Sequence, residues 1–184
     1  MFDPLALLKK LTLWLAVILL VAVSGYGSVP ALAGSSSTDE ELDIKARTVM
    51  LTAMEPKTYA VDELSKGRKL FNAACGQCHI AGTSYTNPDV TLSLDDLTNA
   101  TPPRNTVVAI VDYMHNPLTY DGEDSLLEYH PNVELKSIYP KMRNLDDEKL
   151  ELIAAHVLQQ SNVVPGWGGT KSEAHDPSWN RLGA

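Results

Sequence analysis

Reactive side chains concentrate in one short segment of the 184-residue sequence, AACGQCHIAG at residues 73–82. It holds the only two cysteines, Cys75 and Cys78, and His79 follows directly. C-x-x-C-H is the attachment sequence for c-type haem, in which the two thiols add to the haem vinyl groups and form thioethers. On a helix, residues at i, i+3 and i+4 share one face. We therefore predict one covalently attached haem c, held by Cys75 and Cys78, with His79 as an iron ligand.

A thioredoxin-like redox pair and half of a zinc site are the alternative interpretations of this cysteine pair. A zinc site needs further Cys or His ligands in a second paired arrangement, which the sequence does not contain. A redox pair has no use for the adjacent histidine, and no βαβ pattern surrounds residues 73–82. Haem attachment is the interpretation that explains all three residues.

The second axial ligand of the iron has several candidates among the histidines and methionines. They are Met50, Met54, Met114, Met142, His115, His130, His156 and His175. Met114 lies in an apolar helical stripe, so we expect it to pack in the core. His156 lies beside the apolar stripe of the last helix, where a packing or surface role is expected. His175 belongs to a polar tail, and His115 ends a helix, where a cation is favoured.

His130, in EYHPNVEL, and Met142, in IYPKMRNL, are the two remaining candidates. Both lie in loop-like sequence next to a proline. The residue types slightly favour Met142, because His/Met is a common axial pair in cytochromes c. On the residues alone the choice between them stays open.

The elements that must position these side chains are mostly helical. Apolar residues recur at helical spacing in three segments, which predict helices near residues 62–78, 105–115 and 146–159. A short strand pair is predicted near residues 85–94. Gly67, Phe71 and Cys75 are spaced four apart, and a mid-helix glycine costs about 1 kcal/mol against alanine, so Gly67 indicates close approach of another helix. The Gly-x-x-x-Phe-x-x-x-Cys arrangement resembles that of class I cytochromes c, and this resemblance implies a mostly α, small monohaem class I-like cytochrome c domain with long loops.

Residues 1–33 have the layout of a secretory signal peptide. Lys9 and Lys10 precede an apolar run over residues 11–23, and Ala31-Leu32-Ala33 fits an A-x-A cleavage site. The run has 13 residues, fewer than the roughly 20 that span a bilayer. We therefore predict cleavage after Ala33 and no membrane insertion of the mature chain.

The mature chain is acidic. Cleavage removes one of 23 acidic and two of 15 basic residues, which leaves 22 and 13 and a formal net charge of −9. Such a chain, without a Lys/Arg cluster, is repelled by nucleic acid. We predict an N-terminal segment over 34–60 that packs on the domain, a cytochrome c domain over 61–165 and a polar C-terminal tail over 166–184.

The sequence resembles the extrinsic c-type cytochromes of photosystem II, the cytochrome c-550 family. The matching pieces run in order from about residue 64 to 170 and are KGRKLFNAACGQCH, TNP at 86–88, ATPPR at 100–104, VDYMHNPLTYDGE at 111–123, HPN at 130–132, YPKMRNL at 139–145 and WGG at 167–169. The resemblance implies two histidine ligands, His79 and His130, with Met142 at the place of a family methionine that is not a ligand. Residues 34–60 match only loosely, and the tail TKSEAHDPSWNRLGA departs from the family.

The resemblance also implies a function. It implies a low-potential bis-histidine haem without enzymatic activity, docked on lumenal subunits of photosystem II beside other extrinsic subunits. There it would stabilise the oxygen-evolving manganese–calcium cluster and its calcium and chloride requirement. The expected location is the thylakoid lumen, peripheral on the lumenal face, or the periplasmic face where thylakoids are lacking. The alternative is a divergent soluble electron-transfer cytochrome c that is not stably bound to photosystem II.

Overall fold

The computed structural model describes residues 37–169, and their architecture is mostly helical. The elements in chain order are α1 (Ser37–Ala46), β1 (Thr48–Met50), β2 (Pro56–Thr58), α2 (Val61–Ala74), α3 (Leu94–Asn99), α4 (Val107–His115) and α5 (Asp147–Val163). Two 3₁₀ turns cover Ile80–Gly82 and Pro140–Met142. The predicted signal peptide, His175 and most of the predicted tail lie outside the described residues. Among those described, no helix has the length and apolar character needed to cross a membrane.

The main helical contact is the crossing of α2 and α5 at Gly67. A Cβ atom added to this glycine would lie 2.1 Å from the carbonyl oxygen of Leu152 and 2.8 Å from its carbonyl carbon. Only a residue without a side chain allows two helix backbones to come this close. The prediction that Gly67 marks the approach of another helix is confirmed.

Local capping sets where α4 and α5 begin. The Thr106 hydroxyl accepts a hydrogen bond from the Ala109 N–H at 3.2 Å, and the Asp146 carboxylate accepts one from the Lys149 N–H at 3.0 Å. Such side chains satisfy N–H groups that have no partner inside the helix. The helices then bury their apolar faces in one core, whose members include Leu64, Phe71, Ile110, Met114, Met142, Leu150, Ile153 and Val157.

A short antiparallel hairpin formed by β1 and β2 precedes α2. Val49 pairs with Lys57 at its centre, and Val49 is buried. The strand pair that we predicted near residues 85–94 is wrong, because the described chain forms turns there and then enters α3. Ser93 caps α3 by accepting from the Asp96 N–H at 3.1 Å, and the Asp96 carboxylate accepts from the Thr91 hydroxyl at 2.6 Å. These polar bonds favour a helix start over a strand.

A buried tyrosine directly after β2 connects the hairpin to α5. Tyr59 has no exposed surface, and its hydroxyl donates to Glu151 at 2.8 Å. Lys57 donates to the same carboxylate at 2.5 Å and lies 4.7 Å from the centre of the Tyr59 ring. These contacts pack the described segment before α2 on the helical core.

Candidate functional site

The two cysteines lie where α2 ends. The helix stops at Ala74, four residues before the predicted end, and Cys75 occupies the C-terminal cap. The N–H groups of Cys78 and His79 both donate to the Cys75 carbonyl at 3.0 Å. The backbone of His79 has left the helical region, with φ −117° and ψ 47°. The prediction of one continuous helix through the motif is therefore wrong, but two turn-type hydrogen bonds keep the three residues together.

A cavity of about 640 Å³ opens beside this motif. Its volume lies within the roughly 300–1,000 Å³ that is usual for ligand and cofactor pockets. The wall combines the end of α2 with residues of α4, α5 and the loops between them, and it includes Cys75, Cys78, His79, Arg104, Tyr113, Met114, His130, Met142 and Ile153. The structure thus brings all four predicted site residues, two thiols and two imidazoles, to the wall of one cavity.

The two imidazoles of this wall lie close to each other. The ring centres of His79 and His130 are 6.2 Å apart, and the ring planes are inclined by 49°. With a metal–nitrogen bond of about 2.0–2.1 Å and about 1.1 Å from nitrogen to ring centre, two imidazoles on opposite sides of one metal ion have centres about 6.2–6.4 Å apart. The observed separation therefore accommodates one metal ion between the rings.

Hydrogen bonds orient both imidazoles for this role. Nδ1 of His79 lies 3.2 Å from the carbonyl oxygen of Thr83, and Nδ1 of His130 lies 2.9 Å from that of Pro131. Because a carbonyl only accepts, these contacts favour the tautomer in which each Nδ1 carries the proton and each Nε2 keeps its lone pair; the Ser84 hydroxyl, 3.3 Å from Nδ1 of His79, can accept from the same N–H. This tautomer is the one in which a metal-bound histidine is usually held by an outer partner.

Burial sets the charge of the cavity wall. It is the main cause that lowers the pKa of His79, and it lowers that of His130, with help from the neighbouring His79, to about 4. Both imidazoles are therefore neutral near pH 7, which is the form that binds metals. Burial likewise raises the pKa of the Cys75 thiol to about 12, so this thiol is not ionised in the folded chain.

Asn132 shapes the turn that presents His130. This asparagine is fully buried, and its amide nitrogen donates to the carbonyl oxygens of Leu127 and His130 at 2.7 and 2.8 Å. Its side-chain oxygen accepts from the N–H groups of Glu134 and Leu135 at 3.1 and 2.9 Å. Four hydrogen bonds from one side chain fix a loop that has no regular secondary structure.

The other candidate ligands occupy different places. Met142 is buried on the cavity wall, and Met114 is also a wall residue packed in the core. Met54 is 93% exposed, and Met50 is partly exposed at the hairpin. His156 is only 3% exposed and packs against Phe71, with the ring centres 5.5 Å apart. Of these, only Met142 and Met114 could reach a group in the cavity.

His115 takes part in a separate interaction. Its Nδ1 lies 2.8 Å from Glu134 and its Nε2 lies 3.0 Å from Asp147. These contacts, first of all the hydrogen bond to Glu134, raise the pKa of His115. The histidine therefore links the loop of His130 to the start of α5 and is engaged away from the cavity.

Arg104 and Tyr113 are cavity residues to which we assigned no role from the sequence. The Arg104 guanidinium lies 4.3 Å from the centre of the Tyr113 ring, and Tyr113 in turn meets His130 edge-on with ring centres 5.1 Å apart. The sequence feature that could have drawn attention to Arg104 is its isolation, because no Lys or Arg lies between Lys69 and the arginine of ATPPR. Nothing in residue type or spacing linked it to His130.

The donor set indicates what kind of group the cavity fits. Within residues 37–169, no three His, Cys, Asp or Glu side chains come together to hold a metal ion by themselves. Two neutral imidazoles on the wall of one cavity, with ring centres 6.2 Å apart, suit a metal ion that brings its remaining ligands in a flat organic ring. Two thiols on the same wall could bond that ring covalently.

Comparisons with known proteins extend this picture. A model of the cytochrome c-550 domain matches residues 39–174. Photosystem II extrinsic protein V of Synechococcus sp. (strain JA-3-3Ab) is 52% identical over 161 residues, covering 88% of this chain and 85% of that protein. Photosystem II extrinsic protein V of Cyanidium caldarium is 45% identical, covering 71% of this chain and 81% of that protein.

Solved structures show the same fold. A crystal structure of cytochrome c549 superimposes with a TM-score of 0.66 at 42% identity, covering 68% of this chain and 98% of that chain. The PsbV2 cytochrome from the cyanobacterium Thermosynechococcus elongatus gives a TM-score of 0.57 at 35% identity, covering 66% of this chain and 87% of that one.

Proposed function

The chain belongs to the cytochrome c-550 domain family, and from this premise we propose that it is an extrinsic cytochrome of photosystem II. It carries one haem c, bonded through Cys75 and Cys78 and held between the imidazoles of His79 and His130. The observation that supports this ligand set best is the 6.2 Å separation of the two rings, each with its Nδ1 on a backbone carbonyl.

The residues around the cavity define what the site does. Haem, when bound, supplies a one-electron iron couple. His79 and His130 would both ligate the iron of a bound haem and would leave no position open to oxygen or peroxide, so we assign no enzymatic activity. A thioether ligand raises the reduction potential, whereas imidazole does not. The excess of acidic residues in the chain also favours the ferric form, and both effects give a low potential.

The relatives named photosystem II extrinsic protein V support the place of action. We assign the mature chain, residues 34–184, to the lumenal face of photosystem II, in contact with lumenal subunits and other extrinsic subunits. Its role there is to stabilise the manganese–calcium cluster and its calcium and chloride requirement. In this assignment residues 61–165 form the cytochrome c domain, and the segments before and after it are available for docking.

The ligand set is tested by spectroscopy of the purified mature protein. Its mass should exceed that of the bare chain by one haem, and the ferric form should show no sulfur-to-iron charge-transfer band at the red edge of the visible spectrum. His130→Met should introduce that band and raise the midpoint potential, while Met142→Leu should leave both unchanged. A band in the unmodified protein that Met142→Leu removes would refute His130 as the ligand.

The place of action needs a second experiment. Photosynthetic membranes are washed with salt, and the released protein and the rate of oxygen evolution are measured before and after adding the purified protein back. We expect release of a red protein, loss of oxygen evolution and recovery on adding it back. Recovery of the protein in the soluble fraction without washing, and no effect on oxygen evolution, would support a diffusible electron carrier instead.

A further inference from the structure

Arg104 is a buried cation whose described partners are all neutral. Its side chain lies in the cavity wall and the residue is 8% exposed. One guanidinium nitrogen donates to the carbonyl oxygens of Leu118 and Thr119 at 3.0 and 2.6 Å, and the group stacks on the Tyr113 ring. None of the ion pairs in residues 37–169 includes Arg104.

An unpaired charge in such a place is costly, because burial removes water that neutral groups replace only in part. Burial accordingly lowers the pKa of Arg104, and no carboxylate contributes to the shift in either direction. Asp96 also lies on the cavity wall, but its carboxylate accepts from the N–H and the hydroxyl of Thr91 at 2.8 and 2.6 Å. The described chain therefore supplies Arg104 with no anion.

The remaining donors of Arg104 suit a planar anion. A guanidinium has five N–H groups, and the two carbonyl contacts come from a single nitrogen. The other two nitrogens have no hydrogen-bond partner among the described residues. A guanidinium fork matches a carboxylate in two parallel hydrogen bonds, which is the strongest pairing available to this side chain.

We propose that Arg104 is the counter-ion of a carboxylate on the haem bound in the cavity. This inference rests on the proposed function, because haem carries propionate carboxylates and the described cavity wall supplies no other free one. Arg104 holds that carboxylate ionised and, through its stacking on Tyr113 beside His130, acts as a positioning residue for the His130 side of the site. Its positive charge also raises the midpoint potential above the value that the acidic chain would otherwise set.

The test compares midpoint potentials between pH 4 and pH 9 for the holoprotein and three variants. Arg104→Gln removes the charge, and Arg104→Lys keeps the charge but loses the planar fork. Arg143→Gln is the matched control, because Arg143 also donates to two backbone carbonyls, those of Lys136 and Ser137, yet is exposed and not a wall residue. Resonance Raman spectra report the propionate bending mode of each protein.

We expect Arg104→Gln to lower the potential at neutral pH and to move the acid inflection of the potential to higher pH, since the carboxylate is then easier to protonate. Arg104→Lys should keep the neutral potential near the wild-type value, move the inflection less and shift the propionate mode. Arg143→Gln should match the wild type. A purely structural role for Arg104 would leave the inflection and the propionate mode unchanged.

Three results would overturn the inference. The first is an Arg104→Gln holoprotein with the wild-type inflection and propionate mode. The second, which decides the matter if Arg104→Gln does not accumulate, is an Arg104→Lys protein identical to the wild type in both readouts. The third is a wild-type potential that titrates with chloride and loses this response in either variant, because a free anion would then be the partner. A wild-type chain without haem would instead refute the proposed function.

Discussion

Replacing Gly67 by alanine tests the helix crossing that underlies the site. The added Cβ would lie 2.1 Å from the Leu152 carbonyl oxygen and 3.2 Å from the His156 Cβ. Real Cβ contacts are not shorter than 3.0 Å, so α2 and α5 must separate by about 0.9 Å at this point. The neighbour is helix backbone, which cannot rotate out of the way as a flexible side chain would.

The magnitude follows from two opposing effects. Overpacking a filled interior typically costs about 1–3 kcal/mol. Because the atom that Gly67→Ala would meet belongs to helix backbone, we expect a cost at the upper end, about 3 kcal/mol. Alanine is the better helix former by about 1 kcal/mol. The net loss in the free energy of unfolding is about 2 kcal/mol, or roughly 4–8 °C in melting temperature for a chain of this size.

Thermal unfolding of the holoproteins, followed by far-UV circular dichroism, measures this loss. Lys69→Ala and Lys69→Gly are the matched controls, because Lys69 is exposed on the same helix two residues away. There the alanine variant should be more stable than the glycine variant by about 1 kcal/mol. If Gly67→Ala melts at or above the wild-type temperature, the crossing is not as close as described and the reasoning fails.

Three further changes concern polar groups packed around the core. Tyr59→Phe removes the hydrogen bond to Glu151 and should cost about 1–2 kcal/mol, measured by urea unfolding, whereas exposed Tyr85→Phe should change stability by less than about 0.5 kcal/mol. Burial lowers the pKa of His156 to about 4, so protonation of this imidazole favours the unfolded chain. As the pH falls from about 6.5 to about 4, the wild type should lose about 3 kcal/mol of stability relative to His156→Gln. The pKa of His115 is raised by its two carboxylate partners. Its stabilisation is complete below about pH 6.5 and is lost as pH rises through the raised value, so a stability difference from His115→Gln that does not shrink with rising pH would contradict this.

Helices whose apolar residues recur with a clear helical period were predicted well. The short helix that is marked mainly by its capping residues was not. The predicted ranges 105–115 and 146–159 correspond to Val107–His115 and Asp147–Val163. The short helix Leu94–Asn99 was missed, because its six residues are too few to show a helical period. Its signal was local, with Ser93 as the cap and Asp95 and Asp96 in the first turn.

The end of α2 was predicted wrongly for a different reason. We predicted a helix to residue 78, because the i, i+3, i+4 spacing of Cys75, Cys78 and His79 places them on one helical face. In the structure the chain turns instead, with Ala81 and Gly82 at φ values of 51° and 80°. A Cβ on Gly82 would lie 2.6 Å from the Trp167 ring. This contact spans more than eighty residues, so no local pattern could have predicted the turn.

The choice between His130 and Met142 depends on the same kind of long-range information. Both side chains lie on the cavity wall, and residue type alone made the methionine slightly preferable. His130 differs because its loop is built around Asn132 and because the Val133 N–H donates to the Met114 carbonyl of α4 at 3.1 Å. These bonds hold the imidazole 6.2 Å from that of His79 before any metal is considered. A ligand pair needs two lone pairs at a fixed separation, and that separation is a property of the folded loop, which the residue types alone do not reveal.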